Sequence, residues 1–585
     1  MVSGRAAHQD RPSFLGELHR GRLRWDLVTP FPRQDAVDRT TGDTVIGALC
    51  SLLARRVDAE AVERTGLLPD GVLDDLRERG FLRAGLATGM GGLELSPLNV
   101  FRMVSAAAAH SLPAAMVLAV ENGFGLGALL GHLRPGPLRD FVEERVRSGT
   151  LSGLADTEAA GASNLRRLTT AAPAGDEQGF LLDGEKLFVG NAPVADHLIV
   201  SATVREHGAE HRRLLIVDTR APGVRIVAQD FAGVRGFPIG RVVCERVPVP
   251  ADRVVTEGGD DSVRLTPVAA TMARRGRVLL TAAPSLALAG QCLTWSREFV
   301  RSRTIDGRPL GDYPEIQRRL ARSAAEVFAL EAVAEWVLLA DSEPARADTR
   351  LEQSAIKNIG TGIAARVVDR TVALLAGEGY ETVASKRRRG ARRPFPVERA
   401  LRDLWAFRIA GGVDFHFDQV MSRQHILPHY LATAAPPAPA RQPQGDDGER
   451  LYARAPGPLS ARNQRHLRFL TGQVTGFSRI CRVLVARHPD ETALYADARP
   501  LILLNRLANE VLTSSLALAR AAAHTAAGRT DAQDLADVHC AGARHRIAGL
   551  RRELADADAP DYRGLAAGLL ARPSQEPLDH AKESR

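Results

Sequence analysis

Between about residues 40 and 150 the apolar positions recur at helical spacing. Val45, Ile46, Leu49, Leu52 and Leu53 form one face, with Asp43 placed to cap the run. Residues 73–82 form a second amphipathic run. The glycine-rich stretch 89–92 breaks the pattern, and 98–130 return to an alanine-rich helical pattern interrupted at Pro113. From about 151 to 257 the period changes to two. Residues 180–182 and 185–189 read as a hairpin around Asp183–Gly184. Residues 197–203 and 213–217 are rich in strand formers, and 242–249 alternate before Pro250 ends the run. Helical spacing resumes from about 265 to 430. Residues 434–448 hold Pro436, Pro437, Pro439 and Pro443, then Gly445-Asp446-Asp447-Gly448, a composition that builds no core. Beyond it the chain is helical again, with long runs at 501–523 and 535–554, and no internal repeat is visible. The pattern predicts a mostly α protein with a central β-domain. Its boundaries are a helical 1–150, a β-rich 151–260, a helical 261–433, a linker 434–458 and an appended helical 459–585.

A chain of 585 residues is long enough for three or four packed units. Apolar residues make up 45% and charged residues 25%, which is ordinary for a globular protein. Abundant Ala, Arg, Gly and Leu favour helices and suggest a bacterial source. The net charge of +8 is mild for this length and traces largely to residues 386–393, so it does not call for nucleic acid. Cys50, Cys244, Cys292, Cys481 and Cys540 form no C-x-x-C pair. They read as isolated thiols of a reducing cytoplasm, not as a disulfide framework or zinc site. His425 and His429 are four apart, but Pro428 between them argues against a metal site. The first 30 residues lack the apolar core of a signal peptide, and no run of apolar residues is long enough to span a membrane.

Several motifs stand in a fixed order. Residues 154–164 read Leu-Ala-Asp-Thr-Glu-Ala-Ala-Gly-Ala-Ser-Asn, and residues 183–192 read Asp-Gly-Glu-Lys-Leu-Phe-Val-Gly-Asn-Ala. An Arg-rich segment, 303–310, is followed by Gln317. Gly377-x-Gly379-Tyr380 and then Pro396-Val397-Glu398-Arg399-Ala400-Leu401-Arg402-Asp403 complete the series. In this order and spacing the chain resembles the acyl-CoA dehydrogenase family over nearly its whole length. Residues 13–15 through 30–32 resemble the N-terminal extension of the very-long-chain subgroup, and 504–509 resemble a helix of that subgroup's C-terminal domain. The resemblance implies a helical N-domain, a β-barrel-like middle domain, a four-helix C-domain and an extra helical domain. It also implies FAD and a homodimer. Because the extra domain of that subgroup aids membrane association, a peripheral location at a membrane stays open beside a cytoplasmic one.

In the family's reaction a carboxylate takes a proton from the thioester α-carbon while the β-hydrogen leaves as hydride to the flavin. The stretch that carries this carboxylate in most subgroups reads Phe407-Arg408-Ile409-Ala410-Gly411-Gly412-Val413-Asp414 here, so Gly411 stands at the glutamate position. The alternative base position, beside Arg277, is Gly276. Asp414, one helical turn past Gly411, is a candidate substitute base; Glu378 is another. For FAD, the resemblance carries over Thr157, Ser163, Phe188, Gly190, Arg303 and Gln317. Gly190 replaces a Thr and Phe188 a Trp, while Asp306, Ala373, Ala376 and Val413 also depart from the family's residues. Asn191-Ala192 and Arg402-Asp403 read as structural. The basic run 386–393, with Arg387, Arg388 and Arg389 at its centre, reads as a solvated loop or as a docking patch for an anion such as a carrier protein, CoA phosphates or a membrane.

The expectation is therefore an FAD-binding protein of this family acting on an acyl thioester, of CoA or an acyl carrier protein, in specialised bacterial metabolism. Two alternatives stand beside it. One is a catalytically inactive pseudoenzyme, including a heteromer partner of an active dehydrogenase. The other is a flavin-dependent oxygenase on the same fold.

Overall fold

The computed structural model describes residues 11–160, 167–174, 179–206, 208–255, 267–341, 347–431, 459–556 and 560–571. The 434–458 linker lies outside them. The helical first part comprises α1 (Phe14–His19), α2 (Ala36–Arg56), α3 (Ala59–Thr65), α4 (Val72–Glu78), α5 (Pro97–His110), α6 (Leu112–Phe124) and α7 (Pro137–Arg147). Asp35, not Asp43, caps α2: its carboxylate accepts from the Val37 and Asp38 amides. Asp43 lies inside that helix and pairs with Arg102. Ser96 and Ser111 cap α5 and α6, whose prolines fall in the first turn, where a missing N–H costs nothing. Pro113 thus opens a new helix.

The middle β-domain is a mixed sheet in the order β6-β7-β3-β2-β4-β5-β8, with β1 parallel to β4. Its strands are β1 (Ser152–Ala155), β2 (Thr170–Pro173), β3 (Gly179–Gly190), β4 (His197–Glu206), β5 (Ala209–Asp218), β6 (Val224–Ala228), β7 (Ile239–Pro250) and β8 (Val254–Val255). The hairpin expected at Asp183–Gly184 does not form. β3 runs through it as one strand antiparallel to β7, and the pairing register shifts between Leu182 and Gly184. Gly184 serves a close approach instead, because a Cβ there would lie 2.7 Å from Thr169 Cα.

In the third part, α8 (Pro267–Gly276), a π-helical turn (Arg277–Ala282) and α9 (Ala283–Arg301) form one continuous rod. Pro284 lacks the N–H that an α-helical ladder requires, which favours a widened turn before it. A two-residue hairpin follows, β9 (Thr304–Ile305) and β10 (Arg308–Pro309), turning at Asp306–Gly307 with both φ angles positive. Next come α10 (Pro314–Leu339), α11 (Arg350–Leu375), α12 (Gly377–Tyr380), α13 (Val383–Arg388), α14 (Val397–Ile409), α15 (Asp414–Met421) and α16 (Pro428–Leu431).

The appended part holds α17 (Ala461–Arg487), α18 (Glu491–Ala496), α19 (Ala498–Ala526), α20 (Asp531–Ala555) and α21 (Tyr562–Leu570). Its long helix α19 is buried against α10, α15 and α20 and shares one core with the first and third parts. Arg520 of α19 pins that contact through Glu331 at 2.8 Å and Glu335 at 2.9 Å.

Candidate active site

The sequence singles out two surfaces: the end of β3 in the middle domain, and the loop between α14 and α15. Below the first lies a buried ionic cluster. Glu158 accepts from Lys186 Nζ at 2.8 Å and from the amides of Leu168 and Thr169 at 2.8 and 2.9 Å. Burial opposes its ionisation, but the ammonium and the two amides outweigh burial and hold the carboxyl at about 2. Asp156 accepts from Arg167, Arg212 and Ser201 at 2.7, 2.8 and 2.6 Å. This cluster fixes the turn that carries Thr157. The Thr157 carbonyl accepts from the Leu187 amide, and among the described residues its hydroxyl has no partner. Ser163 lies outside the described residues.

Phe188 has φ +58°, its amide donates to Gln229 Oε1 at 2.9 Å, and its ring meets Phe231 edge-on at 5.9 Å. Its side chain is 53% exposed, unusual for phenylalanine. At Gly190 a Cβ would lie 2.8 Å from Phe237 Cζ and 3.3 Å from Val120, so Phe237 fills space that a larger residue would take. Beside it the Asn191 amide donates to the Ser152 carbonyl at 3.1 Å and to Glu121, while Asn191 Oδ1 is buried with no partner. An exposed aromatic ring and an unbonded hydroxyl together fit the edge of a planar, hydrogen-bonding ring system. No hydroxyl stands at Gly190 to approach it.

In the loop between α14 and α15, Gly411 and Gly412 have φ +70° and +105°, a region that favours glycine. Arg277 Nε donates to the Gly411 carbonyl at 3.2 Å, and its guanidinium lies 4.3 Å from the Phe417 ring centroid. Lys357 Nζ donates to the Arg408 carbonyl at 2.9 Å and also to the Gly412 carbonyl. Burial pulls Arg277 down to about 10 and Lys357 down to about 8. The loop is therefore gripped by two cations. Asp414 does not serve as a free carboxylate: Arg408 clasps its Oδ2 through Nε at 2.8 Å and Nη2 at 2.5 Å, and its Oδ1 caps the Phe415 amide. Glu378 pairs with Arg303 and, at 3.6 Å, with Arg389.

The two glycines that replace the family's base differ physically. At Gly411 the nearest atom to an added Cβ is Arg277 Cγ at 3.3 Å, a tight contact that a small shift of the Arg277 side chain would relieve. At Gly276 an added Cβ would lie 1.6 Å from Phe124 Cζ. The ring of Phe124 fills that position outright, where Gly123 brings α6 against α8.

Arg303 and Gln317 sit at and beyond the β9–β10 hairpin. Gln317 donates to the Gly311 carbonyl at 2.9 Å, and Asp306 is exposed at the hairpin tip. The basic run is not the open loop expected. Lys386 is buried at the end of α13 and donates to the Phe395 carbonyl. Arg389 pairs with Glu381 at 2.8 Å and Arg393 with Glu298 at 3.2 Å. Arg387 and Arg388 remain exposed without ion pairs among the described residues. Arg402 and Asp403 are structural as expected: Asp403 accepts from the Val234 amide at 2.6 Å, and Arg402 pairs with Glu63 at 2.7 Å. No metal-binding cluster occurs among the described residues. Sequence reading missed Phe124 and Phe237, whose apolar type gave no signal. It also missed Glu121, a lone acid inside the apolar face of α6 that could have been flagged on that ground.

Comparison with known proteins adds family. Residues 153–247 match the acyl-CoA dehydrogenase middle domain, and residues 266–422 match the acyl-CoA dehydrogenase C-terminal domain. The chain is 31% identical over 454 residues to the probable acyl-CoA dehydrogenase FadE10 of Mycobacterium tuberculosis, covering 74% of this chain and 66% of that one. It is 23% identical over 417 residues to the mitochondrial very long-chain specific acyl-CoA dehydrogenase of Macaca fascicularis, covering 70% and 61%. The match thus spans just under two thirds of the length of these relatives. Among solved structures, an acyl-CoA dehydrogenase from Bacillus anthracis, complexed with FAD, superposes with a TM-score of 0.74 at 18% identity over 97% of this chain and 96% of that one.

Proposed function

The chain belongs to the acyl-CoA dehydrogenase family, whose middle and C-terminal domains it carries, and from that premise we propose that it is an FAD-binding flavoprotein acting on an acyl thioester without a protein carboxylate at the substrate α-carbon. One observation carries this reading. The loop at residues 410–413 holds Gly411 where an acid is expected, and Arg277 and Lys357 grip its carbonyls. FAD, when bound, supplies the hydride acceptor of this chemistry. Thr157 and Phe188 would hold its ring end, and Arg303 and Gln317 its phosphate and adenine ends in a homodimer. Arg277 uses one of its donors on Gly411 and leaves the rest unbonded among the described residues. Those donors suit the thioester carbonyl oxygen, whose negative charge grows as the α-proton leaves to a substrate group, since the loop supplies no carboxylate to take it. The substrate class is an acyl group on CoA or a carrier protein. The setting is specialised bacterial metabolism in the cytoplasm.

A second reading is an inactive scaffold or heteromer partner. Two features favour it: Phe237 fills the space beside Gly190, and Glu378 neutralises Arg303 within the same chain.

Visible spectroscopy separates the two. The flavoprotein reading expects flavin absorption that a saturated acyl-CoA fails to bleach anaerobically in the wild type and does bleach in Gly411→Glu. A positioned general base contributes roughly 10²–10⁴-fold in rate. The variant costs about 1–2 kcal/mol at a left-handed φ, and its Cβ would lie 3.3 Å from Arg277 Cγ. Colourless protein that takes up no added FAD removes this reading and leaves the scaffold.

A further inference from the structure

Away from the loop at 410–413, a cavity of about 650 Å³ lies among α5, α6, α8, α10 and the start of α11. That is well within the size range of small-molecule sites, about 300–1,000 Å³. Part of its lining is apolar: Leu86, Leu95, Val100, Leu126, Val278 and Leu338. The lining also carries Arg83, Arg274, Arg275 and Arg350, with Asp341, Asp348 and Glu121. Asp348 is committed to Arg350 at 2.5 Å. The remaining three arginines have no carboxylate partner among the described residues. Arg83 is spent on main chain, donating to the carbonyls of Val146, Arg147 and Arg77 at 2.7, 3.0 and 3.1 Å. Arg274 donates to Thr271 Oγ1 at 2.8 Å, and its Nε is buried without a partner. Arg275 makes no ion pair among the described residues. Arg83 and Arg274 are half-buried, and burial weakens their hold on their protons, while Arg275, which also lines the cavity, is exposed. Glu121 offsets little of their charge: burial pushes its carboxyl up to about 8.

We infer that this cavity binds the carboxylate end of an amphipathic ligand, with Arg274 and Arg275 on the charge and the leucine-rich lining on the chain. Two sources share that chemistry: a free medium-chain carboxylic acid, or the far end of an acyl thioester that carries a second carboxylate. The thioester source rests on the proposed function; the free acid does not.

Calorimetric titration of the full-length protein tests it with four probes: octanoate, octanol, octanoyl-CoA and the thioester of octanedioic acid with CoA. A free-acid site binds octanoate at least tenfold more tightly than octanol. A thioester site prefers the ω-carboxylated CoA ester over octanoyl-CoA by a similar factor. In either case the Arg274→Gln/Arg275→Gln double variant loses that preference, and Arg274→Lys/Arg275→Lys recovers part of it. Octanoate bound by protein that takes no thioester keeps the cavity and removes the proposed function. Octanol matching octanoate while the two thioesters match each other overturns the inference, and this comparison uses only wild-type protein. A preference that survives intact in the folded double glutamine variant overturns it as well.

Discussion

Gly276 is a sharp test of whether packing has closed the second base position. It lies in helical conformation, φ −64° and ψ −38°, so alanine should be intrinsically better by about 1 kcal/mol. The structure argues the reverse. An added Cβ would lie 1.6, 2.1 and 2.5 Å from three carbons of the Phe124 ring, whereas carbon–carbon contacts settle at about 3.5–4.0 Å. The ring must retreat by roughly 2 Å to reach that separation. Separating the helices is no easier, because a Cβ on Gly123 would already stand 3.4 Å from Gly276 Cα. Overpacking of this kind costs about 1–3 kcal/mol. Since a severe contact belongs at the upper end, Gly276→Ala should be destabilising by about 1–2 kcal/mol after the propensity gain. A melting point about 1–2 °C lower is then expected for a chain of this length. Gly290→Ala is the control: the same rod, but nothing within 4 Å of its Cβ. It should hold or raise the melting point. Differential scanning fluorimetry of both variants, and of Gly276→Ala combined with Phe124→Ala, completes the comparison. If Gly276→Ala melts with or above Gly290→Ala, Phe124 does not fill the site and the reasoning fails. If the double variant is less stable than Phe124→Ala alone, the clash lies elsewhere.

Two further outcomes follow from buried charge. Lys186→Met leaves Glu158 buried without its ammonium and should destabilise the protein by about 3–5 kcal/mol, seen as a lower denaturation midpoint; a change under 1 kcal/mol would show the pair to be dispensable. Glu352 accepts from Ser13 Oγ at 2.9 Å and the Leu15 amide at 2.7 Å, and burial pushes its carboxyl up to about 7. Its folded pKa is raised, so its contribution to stability is full below about 4.5 and is lost as pH rises through about 7. Glu352→Gln should flatten the melting-point profile between those values, and an unchanged slope would assign it to another group.

The layout of the fold was legible because its signals are periodic. The shift from helical to alternating spacing near residue 151 and back near 265 marks the middle domain, whose strands span Ser152 to Val255. Local chemistry misled where tertiary contacts compete with it. Asp183-Gly184 has turn composition, yet Asp183 Oδ1 accepts from the Arg246 amide of β7 and Gly184 admits Thr169, so the strand continues. Lys386 belongs to a basic run, yet its stem is buried and its charge meets a carbonyl. At the candidate site, the identities of Gly411 and Gly276 could be read but not their surroundings. One meets only the flexible Arg277 side chain, and the other is occupied by a ring from a helix some 150 residues earlier in the chain. Asp414 looked available because its partner, Arg408, lies across a loop from it. Of the cavity arginines, Arg274 and Arg275 are neighbours on α8, but Arg83 and Arg350 come from other parts of the chain, and the Arg-Arg pair alone does not announce a cavity.

The π turn at Arg277–Ala282 sets a phase. It accommodates one extra residue in a rod that otherwise advances 100° per residue. Upstream of it the rod faces α6; downstream it faces α5 and α11. Losing one residue there would leave both halves helical yet turn them against each other by about 100°. Gly276 would leave Phe124 and Arg277 would leave Gly411 together, since one dial carries both. The packed glycine and the gripped loop are thus two readings of a single rotation, and a change of phase there would disturb both at once.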